Sequence, residues 1–364
     1  MFVMRPVKMS DLDQLVALAD QTSFGLTTLP KDRKLLEGRI RDAEQGFGSV
    51  EAASPRGETF LFVVEDLRRG RLVGTCGVVS KVGGFQPFYA YRIEDALHES
   101  KMLNVSKKIP TLHLVADHDG PCEIGSLFLS PDYRGAGIGR FLSLGRFLFM
   151  AQHLDRFDPE VIAEMRGVID ENGHSVFWDA LGQHFFEIDF THADYLSIVD
   201  KKFIADLMPK HPIYIPLLPP DAQAVIGQVH EYTRPALSIL EKEGFEFNGL
   251  VDIFEAGPVV TCHRDRIRSV RESFTAAIDQ ITDETFEAPD HVIARTDATF
   301  LACKAPLQIK ANCALRIDRA TALTLGVREG DTVRAVKLRA DKPKEADAKI
   351  SSQEADPSPS QGTT

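Results

Sequence analysis

The chain has 364 residues, 43% of them hydrophobic and 26% charged, with a net charge of −11 and a pI of about 5.5. That length suits roughly two domains of about 150 residues each and buries a core without covalent staples. An acidic chain gains nothing from counterion release, which points away from nucleic acid, and no apolar run approaches the ~20 residues of a membrane span.

Residues 2–7 read as a short strand. Ser10, with Asp13 three residues on, reads as the N-cap of a helix carrying Leu12, Leu15, Val16 and Ala19. A second helix begins near Lys31, with Leu36, Ile40 and Ala43 on one face. Thr59 to Glu65 and Leu72 to Ser80 form a hairpin around a polar turn ending at Gly70. Gly83 to Asp119 reads as a helical piece, Glu94 to Leu103, followed by a strand-like piece, Thr111 to Val115.

Glu123 to Ser130 is a strand, Pro131 to Tyr133 a turn, and Phe141 to Phe149 lies on a helix. A strand is expected over Val161 to Gly167, a helix over Val176 to Leu181 and a strand over His184 to Phe190. Ile213 to Leu217 is strand-like. Ala236 to Glu243 is a helix closed by a left-handed Gly244, and Phe245 to Phe254 is a strand pair or one bent strand. Beyond Arg264 a charged helical stretch precedes short strands with turns at Pro306, Asn312 and Gly330-Asp331; these read as a small β-barrel. Residues 341–364 hold almost nothing apolar and read as a disordered tail.

Cys76, Cys122, Cys262, Cys303 and Cys313 are odd in number and never spaced as CxxC. Neither a disulfide framework nor a zinc or other metal site is expected. Met1 to Pro6 lacks the layout of a signal peptide, so a soluble, cytoplasmic protein is expected.

The strongest chemical signal is Arg134-Gly135-Ala136-Gly137-Ile138-Gly139-Arg140, between a strand and a helix. Glycines let a backbone approach phosphate oxygens, and the amides of the first helical turn point at the anion along the helix dipole. Arg134 and Arg140 add charge-assisted hydrogen bonds. The loop lacks the Gly-Lys-Ser/Thr of a Walker loop. Its GxGxG spacing is not the GxGxxG of a dinucleotide fold, which argues against an NAD-dependent oxidoreductase. An ordinary glycine-rich turn is the competing reading. Arg-x-x-Gly-x-Gly after a central strand is similar to the motif that holds the CoA pyrophosphate in the GNAT superfamily, and the upstream hairpin and downstream strand–helix units match the GNAT order. A backbone N–H of Ser126 to Leu129, on the strand before the loop, can polarise a thioester carbonyl.

Longer blocks are more specific. "GLTTLP" from Gly25, "AEMRGVIDENG" from Ala163, "FWDALGQHFF" from Phe177, "FIADLMPKHPIY" from Phe203, "AQAVIGQVH" from Ala222 and "ILEKEGFEFNGLVDIFEAGP" from Ile239 resemble the arginine N-succinyltransferase family. The resemblance covers residues 3–260 and continues faintly to about 340. It implies an α/β (α+β) fold with a GNAT-like mixed sheet flanked by helices over 1–260 and a small, mostly-β, barrel-like unit over 261–340. It implies succinyl-CoA as co-substrate, no permanently bound cofactor, L-arginine as acceptor, and a homo-oligomer or a hetero-oligomer with a related subunit. Residue by residue, His230 matches the family's proton donor and Leu127 its succinyl-CoA contact; Leu129, Arg134, Gly135, Gly137, Ile138, Gly139 and Arg140 complete the expected CoA site. Many GNAT enzymes carry a tyrosine acid in a late helix, but the comparable stretch here offers Trp178, whose indole is no useful acid.

Arg166 is a candidate partner for the succinyl carboxylate, against the alternative of a structural ion pair with Glu164 or a neighbour. Glu164, Asp170, Glu171 and Asp252 are candidates for the guanidinium of arginine, and the sequence does not choose among them. Ornithine or another amine as acceptor, another acyl donor, and a mainly assembling subunit remain open readings. The intact loop together with His230 argues against a dead subunit.

Overall fold

The computed structural model describes residues 1–364 except 23–25, 50–53, 298, 312–313 and 341–364. The expected tail, the turn at Asn312 and Cys313 lie outside the described residues.

β1 (Phe2–Pro6) leads through a short 3₁₀ turn into α1 (Leu12–Ala19). Ser10 is not the cap. Asp11 closes the turn instead, accepting from the Lys8 amide at 2.8 Å while paired with Arg5 at 2.7 Å, which a carboxylate does better than a hydroxyl. α2 (Arg33–Gly48) is capped by Asp32, whose side chain accepts from Leu35 N, and buries Leu36, Ile40 and Ala43. β2 (Thr59–Asp66) and β3 (Arg71–Val79) form the expected hairpin.

β4 (Gly83–Ser100) and β5 (Val105–Asp119) correct the helix expected over Glu94 to Leu103. Those residues are good helix formers, yet they continue one long antiparallel ladder in which Ile93 faces Leu112 and Ser100 faces Val105. Non-local pairing overrides local propensity here.

β6 (Cys122–Leu129) precedes α3 (Ile138–Gln152), and β7 (Glu160–Glu164) follows. α3 is apolar on every side and almost wholly buried, with Phe141, Leu144, Phe147 and Leu148 inaccessible. It is therefore the central helix of the main core.

A helical region follows: α4 (Val176–Ala180), α5 (Gln183–Phe186), α6 (Phe190–Val199), α7 (Lys202–Leu207) and, after the two-residue β8 (Ile213–Tyr214), α8 (Pro220–Val225). The strand expected over His184 to Phe190 is absent. Phe186 and Phe190 instead pack from helices beside Trp178, whose indole N–H donates to the Ile188 carbonyl at 2.9 Å. α9 (Arg234–Glu243) ends at Gly244 with φ 101°, as expected. β9 (Glu246–Val251), β10 (Pro258–His263) and the short α10 (Arg268–Arg271) come next.

The C-terminal strands are β11 (Phe274–Thr282), β12 (Asp290–Arg295), β13 (Ala302–Pro306), β14 (Gln308–Ile309), β15 (Leu315–Asp318) and, after α11 (Arg319–Leu325), β16 (Thr332–Lys337). They do not close as a barrel. β13 pairs with β1, Val3 facing Cys303 and Met4 facing Ala302, so these strands extend the main sheet. The order is β14-β15-β11-β16-β12-β13-β1-β2-β3-β6-β7-β10-β9-β4-β5-β8, an open sheet with β14 and β8 at its ends. The open edge of β1 is thereby covered, which answers the edge-strand problem as well as closure would. The mixed sheet flanked by helices is the expected GNAT-like α/β fold. Among the described residues no helix is long and apolar enough to cross a membrane.

Candidate active site

The site is organised by β6. Its parallel register with β7 covers Cys122–Val161 and Glu123–Ile162 alone. Beyond that pair the two strands part, and the β7-facing edge of β6 is left open. On the other edge the register with β3 shifts between Thr75 and Gly77, opposite Ser126, which has φ 52°. A non-glycine residue in the left-handed region is held there by its surroundings. Thr75 Oγ1 donates to the Ser126 carbonyl at 2.7 Å, and the Ser126 amide donates to Thr28 Oγ1 at 3.1 Å. Arg146 of α3, 1% exposed, donates to the Gly125 carbonyl at 3.4 Å from beneath. Leu127 and Leu129 follow the bulge and pack partly buried on the main core.

At the far end of β6 lies the loop. Gly135, Ala136 and Gly137 have φ of 107°, 45° and 77°, three successive left-handed residues that turn the chain into α3. Gly137 is the N-cap, and the Phe141 amide closes back on its carbonyl at 2.9 Å. Arg134 is exposed; Ile138, Gly139 and Arg140 form the first turn of α3. The predicted loop residues are thus together at the amino end of a fifteen-residue helix, where backbone amides and the helix dipole favour an anion.

At the near end of β6 lies a cavity of about 850 Å³, bounded by α2, β3, β6, α6 and the turn after β9. It reaches the Gly125–Ser126 bulge and is lined by the carboxylates of Glu123, Glu164, Asp194 and Asp252. Glu164 keeps accessible surface because it faces the cavity, yet protein and other carboxylates surround it. Burial, then Glu123 and Asp252, hold its pKa well above the usual range. Burial raises Glu123 as well, opposed by Lys201 and Arg39. Asp194 is pushed up to about 7 by burial and by Asp252. Asp252 is raised by burial although it accepts the Phe254 and Glu255 amides at 2.7 and 2.9 Å. Behind them Glu255 accepts the Gly167 amide at 2.8 Å, and burial with Asp252 and Asp194 raises it well above its ordinary value. Lys34, Arg39, Arg41 and Lys201 line the same cavity and offset part of this charge, and carboxylates raised in this way favour a further cation beside them.

Of the carboxylates named from sequence, Glu164 and Asp252 are in the cavity. Asp170 and Glu171 are not; Asp170 is spent on its own turn, accepting the Asn172 and His174 amides. Glu123 and Asp194 were missed. Glu123 had a local signal, as the one charged residue in the strand Cys122–Leu129. Asp194 had none, since only the docking of α6 turns it inward.

His230 does not line this cavity. Its amide donates to the Arg166 carbonyl at 2.8 Å, just past β7, and its Nδ1 accepts from the Tyr232 amide at 3.2 Å, which leaves the ring proton on Nε2. Burial, then Arg166, lowers its pKa, against smaller effects of Glu231 and the Ile169 carbonyl. Arg166 is itself lowered by burial and attracted by Glu255 and Asp194, acidic neighbours of the kind the structural alternative for this residue allows. The crossing that carries both residues is tight. A Cβ on Gly167 would come within 2.7 Å of Gly257 N, and one on Gly257 would run into the Met165 carbonyl.

The chain is similar to known proteins over most of its length. The family described as AstA, arginine N-succinyltransferase beta subunit, matches residues 2–269. An arginine N-succinyltransferase of Enterobacter sp. (strain 638) is 44% identical over 340 residues, covering 93% of this chain and 98% of that protein. One from Citrobacter koseri is 47% identical over 274 residues, covering 75% and 79%. The structure described as arginine/ornithine succinyltransferase subunit AI from Pseudomonas aeruginosa superposes with a TM-score of 0.86 at 33% identity, covering 93% of this chain and 99% of that one. The phosphate loop, the parted strands and the acidic cavity therefore sit in a chain that belongs to the arginine N-succinyltransferase family.

Proposed function

We propose that this acyltransferase moves the succinyl group of succinyl-CoA to the α-amine of L-arginine. The observation that carries the reading is the layout along β6, with a carboxylate-lined cavity at one end, an open bulged edge in the middle and an anion-binding loop at the other. The acyl-CoA phosphates are held by Arg134, Gly135, Gly137, Ile138, Gly139 and Arg140. Its amide-bearing arm runs along Leu127 and Leu129 in the gap left by β7. The thioester carbonyl then meets a β6 backbone amide near the bulge. The guanidinium of arginine enters the cavity toward Glu164 and Asp252, with Glu123 and Asp194 beside them.

The neutral α-amine attacks the thioester carbon. The carbonyl oxygen takes the electron pair and is stabilised by the backbone donor. The C–S bond then breaks, the amine nitrogen loses a proton, and the departing thiolate gains one. His230 is the donor of that last proton. In the free chain burial, and then Arg166, lower the pKa of the imidazole. A succinyl carboxylate paired with Arg166 offsets the second of these effects and so favours the imidazolium as the acyl donor binds.

The P. aeruginosa structure is described as an arginine/ornithine succinyltransferase subunit, which favours two further readings. Ornithine, also a cation, is a second acceptor, and the working protein is an oligomer. A cytoplasmic location suits Cys76, Cys122, Cys262 and Cys303, which are all free and buried.

His230→Ala should lower kcat by about 10²–10⁴-fold and abolish the fall of kcat on the alkaline side that deprotonation of the donor causes; unaltered turnover would remove His230 from the mechanism. Arg166→Ala should lose selectivity for succinyl-CoA over acetyl-CoA by roughly tenfold or more in kcat/KM, and an unchanged ratio excludes its pairing with the succinyl carboxylate. The raised carboxylates must ionise to hold a guanidinium, so arginine binding releases protons and its KM should fall as pH rises. Between pH 6 and 8, through the value of about 7 at Asp194, the fall should approach about tenfold. A KM that is flat or rises over that range contradicts the acidic pocket as the guanidinium site.

A further inference from the structure

The phosphate loop is built partly by the C-terminal strands. Lys304, on β13, donates from Nζ to the Ala136 carbonyl at 2.9 Å and pairs with Asp290 of β12 at 3.0 Å. Leu338, just beyond β16, packs on Gly137, where an added Cβ would lie 3.1 Å from its Cδ2. The next residue, Arg339, is exposed, and its charge is felt at Arg140 in the first turn of α3. Burial first, then Arg339 and Arg268, lower the pKa of Arg140, with Glu243 opposing them.

Glu243 is already committed. It is fully buried, accepts Arg268 Nη2 at 2.7 Å and Nε at 3.0 Å, and takes the Ser269 amide at 2.7 Å. Arg268 is committed in turn to Glu243 and Glu272. Among the described residues, Arg140 and Arg339 have no salt bridge and no side-chain hydrogen bond. The Leu338 contact brings Arg339 to the loop whose helix carries Arg140 in its first turn, so two guanidinium groups without salt bridges among the described residues flank a loop that presents amides.

Resting on the acyl-CoA reading above, we propose that Arg140 and Arg339 together bind the 3′-phosphate monoester of the acyl-CoA, so that the C-terminal strands complete the nucleotide site. The loop amides and Arg134 suffice for the pyrophosphate. The monoester is the remaining charge of the co-substrate, is close to dianionic at neutral pH, and matches a pair of planar forks. Lys304 is a positioning residue: it fixes the left-handed Ala136 peptide and so ties the loop's geometry to β12 and β13.

The test compares succinyl-CoA with succinyl-3′-dephospho-CoA as donors for the full-length chain and for Arg339→Gln. The wild-type protein should prefer the phosphorylated donor by about tenfold or more in kcat/KM, since a charge-assisted contact is lost without the phosphate. In Arg339→Gln the ratio should fall toward one, mostly through KM. Arg339 is exposed at a strand end, so folding should survive, and Arg140→Gln serves as the second variant. A wild-type ratio near one, or a ratio that neither variant moves, overturns the proposal while leaving the acyl-CoA reading intact. Turnover of neither donor by the wild type overturns both.

Discussion

Everything in this site depends on where β6 and β7 stop pairing. A parallel pair that continued past Glu123 and Ile162 would satisfy both edges of β6 and leave no backbone donor for a substrate. The bulge at Ser126 sets that point. It is held from one side by Thr75 and Thr28 and from below by the buried Arg146, so the strained residue is over-determined by hydrogen bonds. The parting opens the groove, and β6 then delivers its own C-terminus directly into the phosphate loop.

The electrostatics of the two ends are opposite, as a transfer between an anionic donor and a cationic acceptor requires. The loop end gathers Arg134, Arg140, Lys304 and Arg339, while the cavity end gathers Glu123, Glu164, Asp194 and Asp252, partly offset by Lys34, Arg39, Arg41 and Lys201. Crowding carboxylates in a protein-lined space costs stability when they ionise, and the raised values at Glu164 and Asp194 record that cost. A guanidinium bound there as proposed would remove it, and part of the acceptor's affinity would then be relief of repulsion already present in the free protein. At His230 the sign is reversed, since burial and then the Arg166 charge disfavour the imidazolium.

Much of this was legible in the sequence where the signal was local. Glycine spacing located the phosphate loop, apolar periodicity located α2 and α3, and a glycine marked the end of α9. The family resemblance rested on long blocks around residues 163–258. What failed was non-local. Glu94 to Leu103 has helical composition, but Glu94 to Ser100 pair with Val105 to Thr111 in the long ladder, and the C-terminal strands have barrel-like spacing but find the open edge of β1. Asp194 and Arg339 looked like solvated surface charges. Only the packing of α6 over the cavity and of Leu338 on Gly137 brings them to the site.

The most direct measurement is release of free CoA thiol from succinyl-CoA by the purified chain, with and without L-arginine. The account predicts thiol release that depends on arginine and is matched mole for mole by a succinylated arginine carrying its new amide on the α-nitrogen. Thiol release that ignores arginine, or the absence of both turnover and succinyl-CoA binding, would contradict it.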